Sequence, residues 1–430
     1  LSFSSDKTPW TPYSWLAELF MKAVWDAFGY RGTIFITAIC SAAIVWLISQ
    51  SCFEATRRRT TDGSAMTTAV GTVLAAYFTL AYISFRPVTF ALVLFAAIIW
   101  LLWRDRRTPS RWTWLVPALI ALMTNLHLYG IVAAGLVVAV AIGTFFDHRR
   151  LFPRMAWLAG LSAFAACCTP MLPGMIETAL RYNAVDPMVS ARFISEMRPF
   201  YEGTAGIVSL LIIAGLLAWT IVRRKRLNVV DWVLLIAGLV LLFRLGRFSP
   251  LFAMLSLPVF CSVLPVMNDR ALRRRPVRIA IGTVLVIGAL NLAWAFPRGG
   301  TSFNAWLNRH APHATAYPTA AADWATANVP VTHYRVINEF DWGGYLAWRL
   351  GPSWRVFMDG RTQLYPPAFW QAAFFDSPEA QEDLLASVRA DFAILPMRRS
   401  ALRETLERLE WRVVYQDDVA CVLTKKKQGR

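Results

Sequence analysis

The sequence has 430 residues, of which 56% are hydrophobic and 17% charged, with 19 Trp, 27 Phe and a formal net charge of +17. Its mean hydropathy is +0.43. Disordered, collagen-like and disulfide-scaffold chains are excluded by these values, which leave a polytopic membrane protein. The positive charge does not point to nucleic acid. Residues 1–296 hold 28 of the 44 Lys and Arg against 13 of the 27 Asp and Glu, and the excess sits in short Arg clusters between apolar runs. Cytoplasmic loops of membrane proteins carry charge in that pattern.

About 17–25 apolar residues cross a bilayer as a helix. Ten spans are predicted, near 33–50, 66–84, 88–103, 112–125, 128–146, 155–172, 206–222, 229–243, 249–266 and 279–296. Alternate loops are Arg-rich: Arg57 to Arg59; Arg104, Arg106, Arg107 and Arg111; Arg149, Arg150 and Arg154; Arg223, Arg224, Lys225 and Arg226; and Arg270, Arg273, Arg274, Arg275 and Arg278. The intervening loops carry only Arg86, Arg181, Arg192, Arg198, Arg244 and Arg247. This bias places the clusters in the cytoplasm and everything after residue 296 outside. The division expected is a first outer loop with an amphipathic helix (1–32), a transmembrane helical bundle (33–296) and an extracytoplasmic domain (297–430). An outer N-terminal segment needs a preceding span to deliver it, so an N-terminally truncated chain of a protein with eleven spans is expected. The six Cys show no CxxC and no metal-ligand spacing.

The pattern changes after Pro297. Strands are predicted at 335–338, 355–358, 392–395, 411–415 and 419–423, and helices at 343–350, 378–389 and 401–410, with a hairpin at Gln416-Asp417-Asp418. Such alternation implies a small α/β domain with a mostly parallel sheet and an antiparallel edge. Ligands of such sheets sit at the carboxyl ends of strands. Two segments fall there: Asn338-Glu339-Phe340-Asp341-Trp342-Gly343-Gly344-Tyr345, and Asp359-Gly360-Arg361. Asn338, Asp341, Trp342, Asp359 and Arg361 are therefore candidates for sugar or acceptor binding. A purely structural alternative stands beside that reading, with Asp341 as a helix cap, the glycines allowing close packing, and Asp359 paired with Arg361.

Polar residues at membrane depth are functional candidates. Arg86, Arg198, Arg244 and Arg247, with Arg181 and Arg192, form an outer cationic rim suited to a lipid-linked phosphate, because Arg stays charged and binds phosphate bidentately. Asn125 and His127 lie at an outer turn and join the substrate-binding set. Sugar transfer needs a carboxylate, either as general base toward the acceptor or to hold a divalent cation on the donor phosphate. Asp6, Glu18 and Glu196 are the candidates, each with an ordinary reading as a cap or solvated charge. No protein metal site is predicted; His310 and His313 lack partners at metal spacing. No P-loop, GxSxG or HExxH motif occurs.

Asn338–Tyr345, Trp348, Pro352, Arg355-Val356-Phe357 and Asp359-Gly360-Arg361 together resemble the tail signature of a prokaryotic family of multi-pass, glycosyltransferase-like proteins of the GT-C superfamily. Further matches follow the chain: Pro9-Trp10, Trp15-Leu16 and Glu18; Arg86-Pro87 and Phe90; Asn125-Leu126-His127; Ile194, Glu196 and Pro199; and Arg247 with Pro250-Leu251-Phe252-Ala253. The family is similar to protein mannosyltransferases and lipid A aminoarabinose transferases. The resemblance implies transfer of a sugar from a polyprenyl-phosphate donor to a glycan, lipid or protein acceptor at the outer face of a bacterial inner membrane, with an acidic residue of the first outer loop at the centre of the chemistry. This chain departs from the pattern there: the upstream Asp and Trp-His motif are absent, and Tyr13-Ser14 stand where relatives often carry His-Glu. A non-catalytic scaffold or lipid-linked-glycan binding protein of envelope assembly is the alternative. A transporter would show inverted repeats, and none are evident.

Overall fold

The computed structural model describes residues 2–5, 10–58, 63–183, 188, 193, 198–265, 275–297, 300–311, 317–330, 333–398 and 400–425. They form two compact units. One comprises Thr11–Ala179 and Ile194–Pro297; the other comprises Leu1–Trp10, Leu180–Phe193 and Arg298–Arg430. The second unit thus takes in two stretches beyond the tail that the sequence division at residue 297 delimited.

The first unit is a helical bundle. Its helices are α1 (Trp15–Arg57), α2 (Ala65–Thr79), α3 (Pro87–Arg107), α4 (Val116–Leu126), α5 (Tyr129–Asp147), α6 (Phe152–Ala166), α7 (Leu172–Asn183, which passes into the other unit), α8 (Gly203–Val222), α9 (Val229–Arg244), α10 (Ser249–Val263) and α11 (Arg275–Ala295). Six helical stretches among the described residues are long and apolar enough to cross a membrane: Trp15–Arg57, Ala65–Tyr82, Pro87–Arg107, Tyr129–Asp147, Gly203–Val222 and Gly246–Val263. The predicted spans at 112–125, 155–172 and 229–243 correspond to helices of 11, 15 and 16 residues, short of a full crossing at about 1.5 Å per residue. The count of ten spans is therefore not reached by length and composition. The chain is a multi-pass membrane protein.

Helix α1 is really two segments. Gly29 breaks it with φ 57° and ψ −151°, a backbone region open essentially to glycine alone. Residues 15–28 precede the break and expose Leu19, Phe20 and Phe28. At the centre of the bundle lies α10, every residue of which is buried; it packs against α1, α2 and α9. Such all-round burial explains why its sequence shows no polar face.

The Arg-rich helix ends meet at one end of the bundle. Asp231, only 1% of whose side chain is exposed, accepts from Arg58 (3.1 Å) and Arg106 (2.7 Å). Its second oxygen caps α9 by accepting from the backbone of Asn228, whose side chain in turn accepts from Asp231 N. Arg107 pairs with Glu54 at 2.8 Å, and Arg154 with Asp105 at 2.5 Å. Asp147 accepts from the backbone N–H groups of Val229 and Val230, placing a carboxylate at the positive end of α9.

The second unit holds a five-stranded sheet, order β2-β1-β3-β5-β4, from β1 (Tyr334–Asn338), β2 (Trp354–Val356), β3 (Phe392–Pro396), β4 (Trp411–Gln416) and β5 (Ala420–Lys425). Strand β1 pairs in parallel with β2 and β3, while β5 runs antiparallel to both β3 and β4. The sheet is evenly mixed rather than mostly parallel. Helices α12 (Thr319–Asn328), α13 (Gly343–Arg349), α14 (Pro378–Ser387) and α15 (Ala401–Arg408) accompany it. Ala321, Ala322 and Ala325 of α12 and Leu346 of α13 share a core with Val336, Trp354, Val356, Ile394 and Val422. The expected hairpin is present, its Asp417 side chain accepting from Val419 N and Ala420 N.

Candidate functional site

Candidate residues of the bundle gather at the end opposite the ion-pair network. Asn125 lies in the last turn of α4 and links three elements. Its Nδ2 donates to the carbonyls of Ala121 (2.9 Å) and Cys168 (2.8 Å), and its Oδ1 accepts from the Trp15 indole at 3.0 Å. His127 caps α4 with its backbone N–H, and its Nδ1 accepts from Tyr129 N at 3.3 Å. Its ring meets the edges of Tyr129 (4.6 Å between centroids) and Tyr13 (6.3 Å). Burial, and then the positive charge of Arg247, push the imidazole down to about 3, so it is neutral at physiological pH.

Arg247 belongs to the short turn Gly246–Phe248 that opens α10. Phe248 stacks obliquely on Tyr129 at 6.2 Å. The backbone of Gly246 donates to the carbonyl of Arg198 at 3.1 Å, which brings residue 198 to the same turn. Asn125, His127 and the turn bearing Arg247 thus lie at the same end of the bundle, with Arg198 joined to that turn through its main-chain carbonyl. Arg244 is exposed at the end of α9, and Arg86 is exposed just before α3, its Nε donating to Ser84 Oγ at 2.6 Å. Glu18 is exposed in the first turn of α1, three residues after Trp15. Asp6, Arg192 and Glu196 lie outside the described residues. Among the described residues, no group of three or more His, Cys, Asp or Glu could hold a metal ion.

The tail candidates sit at the carboxyl ends of β1 and β2. Asn338 is fully buried, and its amide spans the two strands: Oδ1 accepts from Phe357 N (2.9 Å) and Met358 N (3.3 Å), and Nδ2 donates to the carbonyls of Met358 (2.9 Å) and Glu339 (2.8 Å). These bonds hold strand ends together; that is a role in the fold. Trp342 is 7% exposed and belongs to the sheet core. Asp341 is exposed and does not cap α13, whose N-cap is Trp342 without a side-chain bond. A Cβ at Gly343 would collide with the carbonyl of Met358, which accounts for glycine where α13 crosses the end of β2.

Asp359 and Arg361 pair, as the structural alternative anticipated. The Asp359 carboxylate accepts from Arg361 N (3.0 Å), Nε (2.9 Å) and the terminal guanidinium nitrogen. Beside them, Tyr365 accepts from Asp359 N at 3.0 Å, and burial with the neighbouring carboxylate raises its phenol well above the ordinary range. Sequence reasoning did not single out Tyr129 or Glu339. Tyr129 follows His127 by two residues, a spacing that could have flagged it. Glu339 carries a buried Oε2 with no hydrogen-bond partner among the described residues, and burial, opposed by Arg398, raises its carboxyl; no spacing in the sequence signals that.

No protein-family profile matches the sequence, and no curated protein matches it. Solved structures do. The crystal structure of ArnT from Cupriavidus metallidurans in the apo state aligns over 95% of this chain and 86% of that one, with 14% identity and a TM-score of 0.50. The same protein bound to undecaprenyl phosphate aligns over 96% and 87%, with 14% identity and a TM-score of 0.49. By the first of these alignments the chain has an ArnT-like fold.

Proposed function

We propose that the protein is a glycosyltransferase that moves a sugar from a polyprenyl-phosphate donor to an acceptor at the outer face of a bacterial inner membrane. The observation that carries this reading is the gathering at one end of the bundle of His127 with Asn125, and of the Gly246–Phe248 turn that bears Arg247 with residue 198, the two linked through Tyr129 and Phe248. A guanidinium keeps its charge at working pH and binds a phosphate head group bidentately. His127, neutral at working pH, is a hydrogen-bonding group for a polar head. The ArnT-like fold supports this assignment, and the Arg-rich end of the bundle, placed in the cytoplasm by the positive-inside bias, would leave the His127 end and the tail domain outside.

A carboxylate of an outer segment then acts as general base toward the acceptor or holds a divalent cation on the donor phosphate. Asp6, Glu18 and Glu196 are the residues proposed for that step. Arg86, Arg198 and Arg244 extend the donor site from the helix ends. A second reading, a lipid-linked-glycan binding protein without catalysis, is favoured by one departure from the family the sequence resembles: Tyr13-Ser14 stand where that family often carries His-Glu, and Ser14 is buried at the start of α1.

The protein reconstituted in vesicles with labelled polyprenyl-phosphate sugars tests both. Transfer is expected, falling by about 10²–10³-fold in Arg247→Gln, the usual loss when one donor to a developing charge is removed. Arg247→Lys should recover only part of it, because a point charge replaces the bidentate fork. Donor binding that survives while Asp6, Glu18 and Glu196 are all replaced without loss of function selects the binding protein.

A further inference from the structure

In α/β domains of this kind the carboxyl ends of parallel strands receive the ligand. Here they receive other parts of the same chain. Ser2 forms a parallel bridge with Val356 on the open edge of β2, and Phe3 N donates to the carbonyl of Val356 at 3.0 Å. Ser2 Oγ and Ser4 Oγ both donate to the carbonyl of Phe357. The Phe3 ring lies 5.8 Å from that of Phe357, and the Arg335 guanidinium lies over it at 5.7 Å. Six residues after Ser4, the Trp10 ring takes the Arg361 guanidinium on its face at 5.3 Å, while Asp359 holds Arg361 by its other edge.

A second segment docks nearby. Phe193 packs against Phe374 (4.7 Å), Phe340 (5.7 Å) and Phe375 (6.0 Å), at the ends of the turns that follow β1 and β2, and Met188 is completely buried. Phe340 leans on Trp370, which continues into Tyr365 and Phe369. Main-chain pairing to a free sheet edge plus aromatic seats is a mode by which proteins capture extended peptides. The two captured segments are the N-terminal stretch and the long outer connection after α7.

We propose that the tail domain is a clamp for these two segments, with Arg361 and the Phe340–Phe374 aromatic seat as positioning residues that hold Trp10 and Phe193 rather than as contacts to a sugar. Under the function proposed above, on which the catalytic consequence rests, both segments belong to the outer connections that carry candidate carboxylates in the sequence. The clamp explains the presence of Asp359-Gly360-Arg361 at a strand end: the pair presents one flat cation to one indole. It also explains Phe193, a residue 39% exposed whose ring is seated among three phenylalanines of the tail.

Hydrogen–deuterium exchange on the whole purified protein tests the clamp independently of any reaction. The stretch 2–5, with the bonded Phe3 amide, is expected to exchange far more slowly than exposed chain. Trp10→Ala or Phe193→Ala should speed exchange in its own segment by on the order of tenfold, the equivalent of one aromatic or cation–π interaction, while Ile337 and Ala393 of the sheet stay protected. Arg361→Lys, which keeps the charge but not the flat stacking face, should act like Trp10→Ala on the first segment only. An unprotected Phe3 amide in the unaltered protein, or segments indifferent to these substitutions, would overturn the clamp. In the vesicle assay Phe193→Ala should lower kcat with KM for the donor kept within about twofold; a raised KM with kcat intact would mark the seat as a binding surface instead. If the unaltered protein transfers no sugar, the proposed function fails and the exchange result still decides the clamp.

Discussion

The two ends of the helical bundle handle charge in opposite ways. At the Arg-rich end the guanidinium groups are spent on carboxylates: Asp231 takes Arg58 and Arg106, Glu54 takes Arg107, and Asp105 takes Arg154. At the other end Asn125 and His127, both neutral, bond to backbone, indole and aromatic neighbours. Burial lowers the imidazole there, and the charge of Arg247 adds to the effect. A compensated network locks helix ends together. The net charge of +17 is therefore not one property: several of the bundle's arginines are paired with carboxylates at one end, and Arg247 stands near His127 at the other.

Breaking the compensated end should cost most. Asp231→Asn keeps the shape of the side chain but leaves Arg58 and Arg106, the latter 13% exposed in its side chain, without their ion-pair partner. A loss of about 3–5 kcal/mol is expected for one partner removed from a buried pair, read as a lowered unfolding midpoint in detergent micelles. An unchanged midpoint would mean the network contributes nothing and the contrast between the ends is false. At the other end the sharpest probe is acid. His127 is neutral in the folded protein, with its titration lowered to about 3, whereas the unfolded chain takes up its proton near 6.5. Its contribution is fully present above pH 6.5 and is lost as pH falls from 6.5 toward 3, amounting to about 2 kcal/mol by pH 5. His127→Gln should remove that slope, as followed by unfolding at pH 7.5 and pH 5.

Much of this contrast was legible in the order of residues, and the exceptions have physical causes. The alternation of Arg-rich and Arg-poor loops sorts the helix ends because membrane insertion acts on short sequence-local clusters. The tail strands fall within a residue or two of their predicted positions, since β-branched and aromatic runs between turn residues leave little choice. Asn125, His127, Arg198 and Arg247 were visible as polar residues beside apolar runs, and the fold brings them to the same end of the bundle. What stayed hidden depends on distance in space. The amide of Asn338 reads as a ligand-binding side chain at a strand end, yet its bonding capacity goes to the backbone of the next strand. Trp342 reads as a candidate for sugar or acceptor binding and lies in the sheet core. The short helices at 116–126, 152–166 and 229–244 look like spans because apolar content is summed along the chain, and where a helix turns is set by caps and packing instead. The break in α1 was hidden too, since one glycine among many gives no sign of its φ.

The smallest effect separates a scaffold from a site at the His127 end. Asn125→Ala deletes the acceptor of the Trp15 indole and the donor to the Cys168 carbonyl, while the Ala121 carbonyl keeps its place within α4. Asn125 is only half-buried, so water can reach the groups it abandons, and the expected loss is about 1 kcal/mol, the net worth of an ordinary hydrogen bond. That is too little to unfold the bundle, but the change frees the start of α1 from the end of α4. If this end is a reaction site, a modest loss of stability should come with a disproportionate loss of transfer, because displacements of about an ångström in a positioning group cost on the order of a hundredfold in rate. If the end only packs helices, transfer should fall no further than stability does. Measuring both quantities on the one variant distinguishes the two, and Asn125→Asp, which keeps the acceptor for Trp15 but adds a negative charge at the end that holds Arg247, should restore the indole bond while abolishing donor binding.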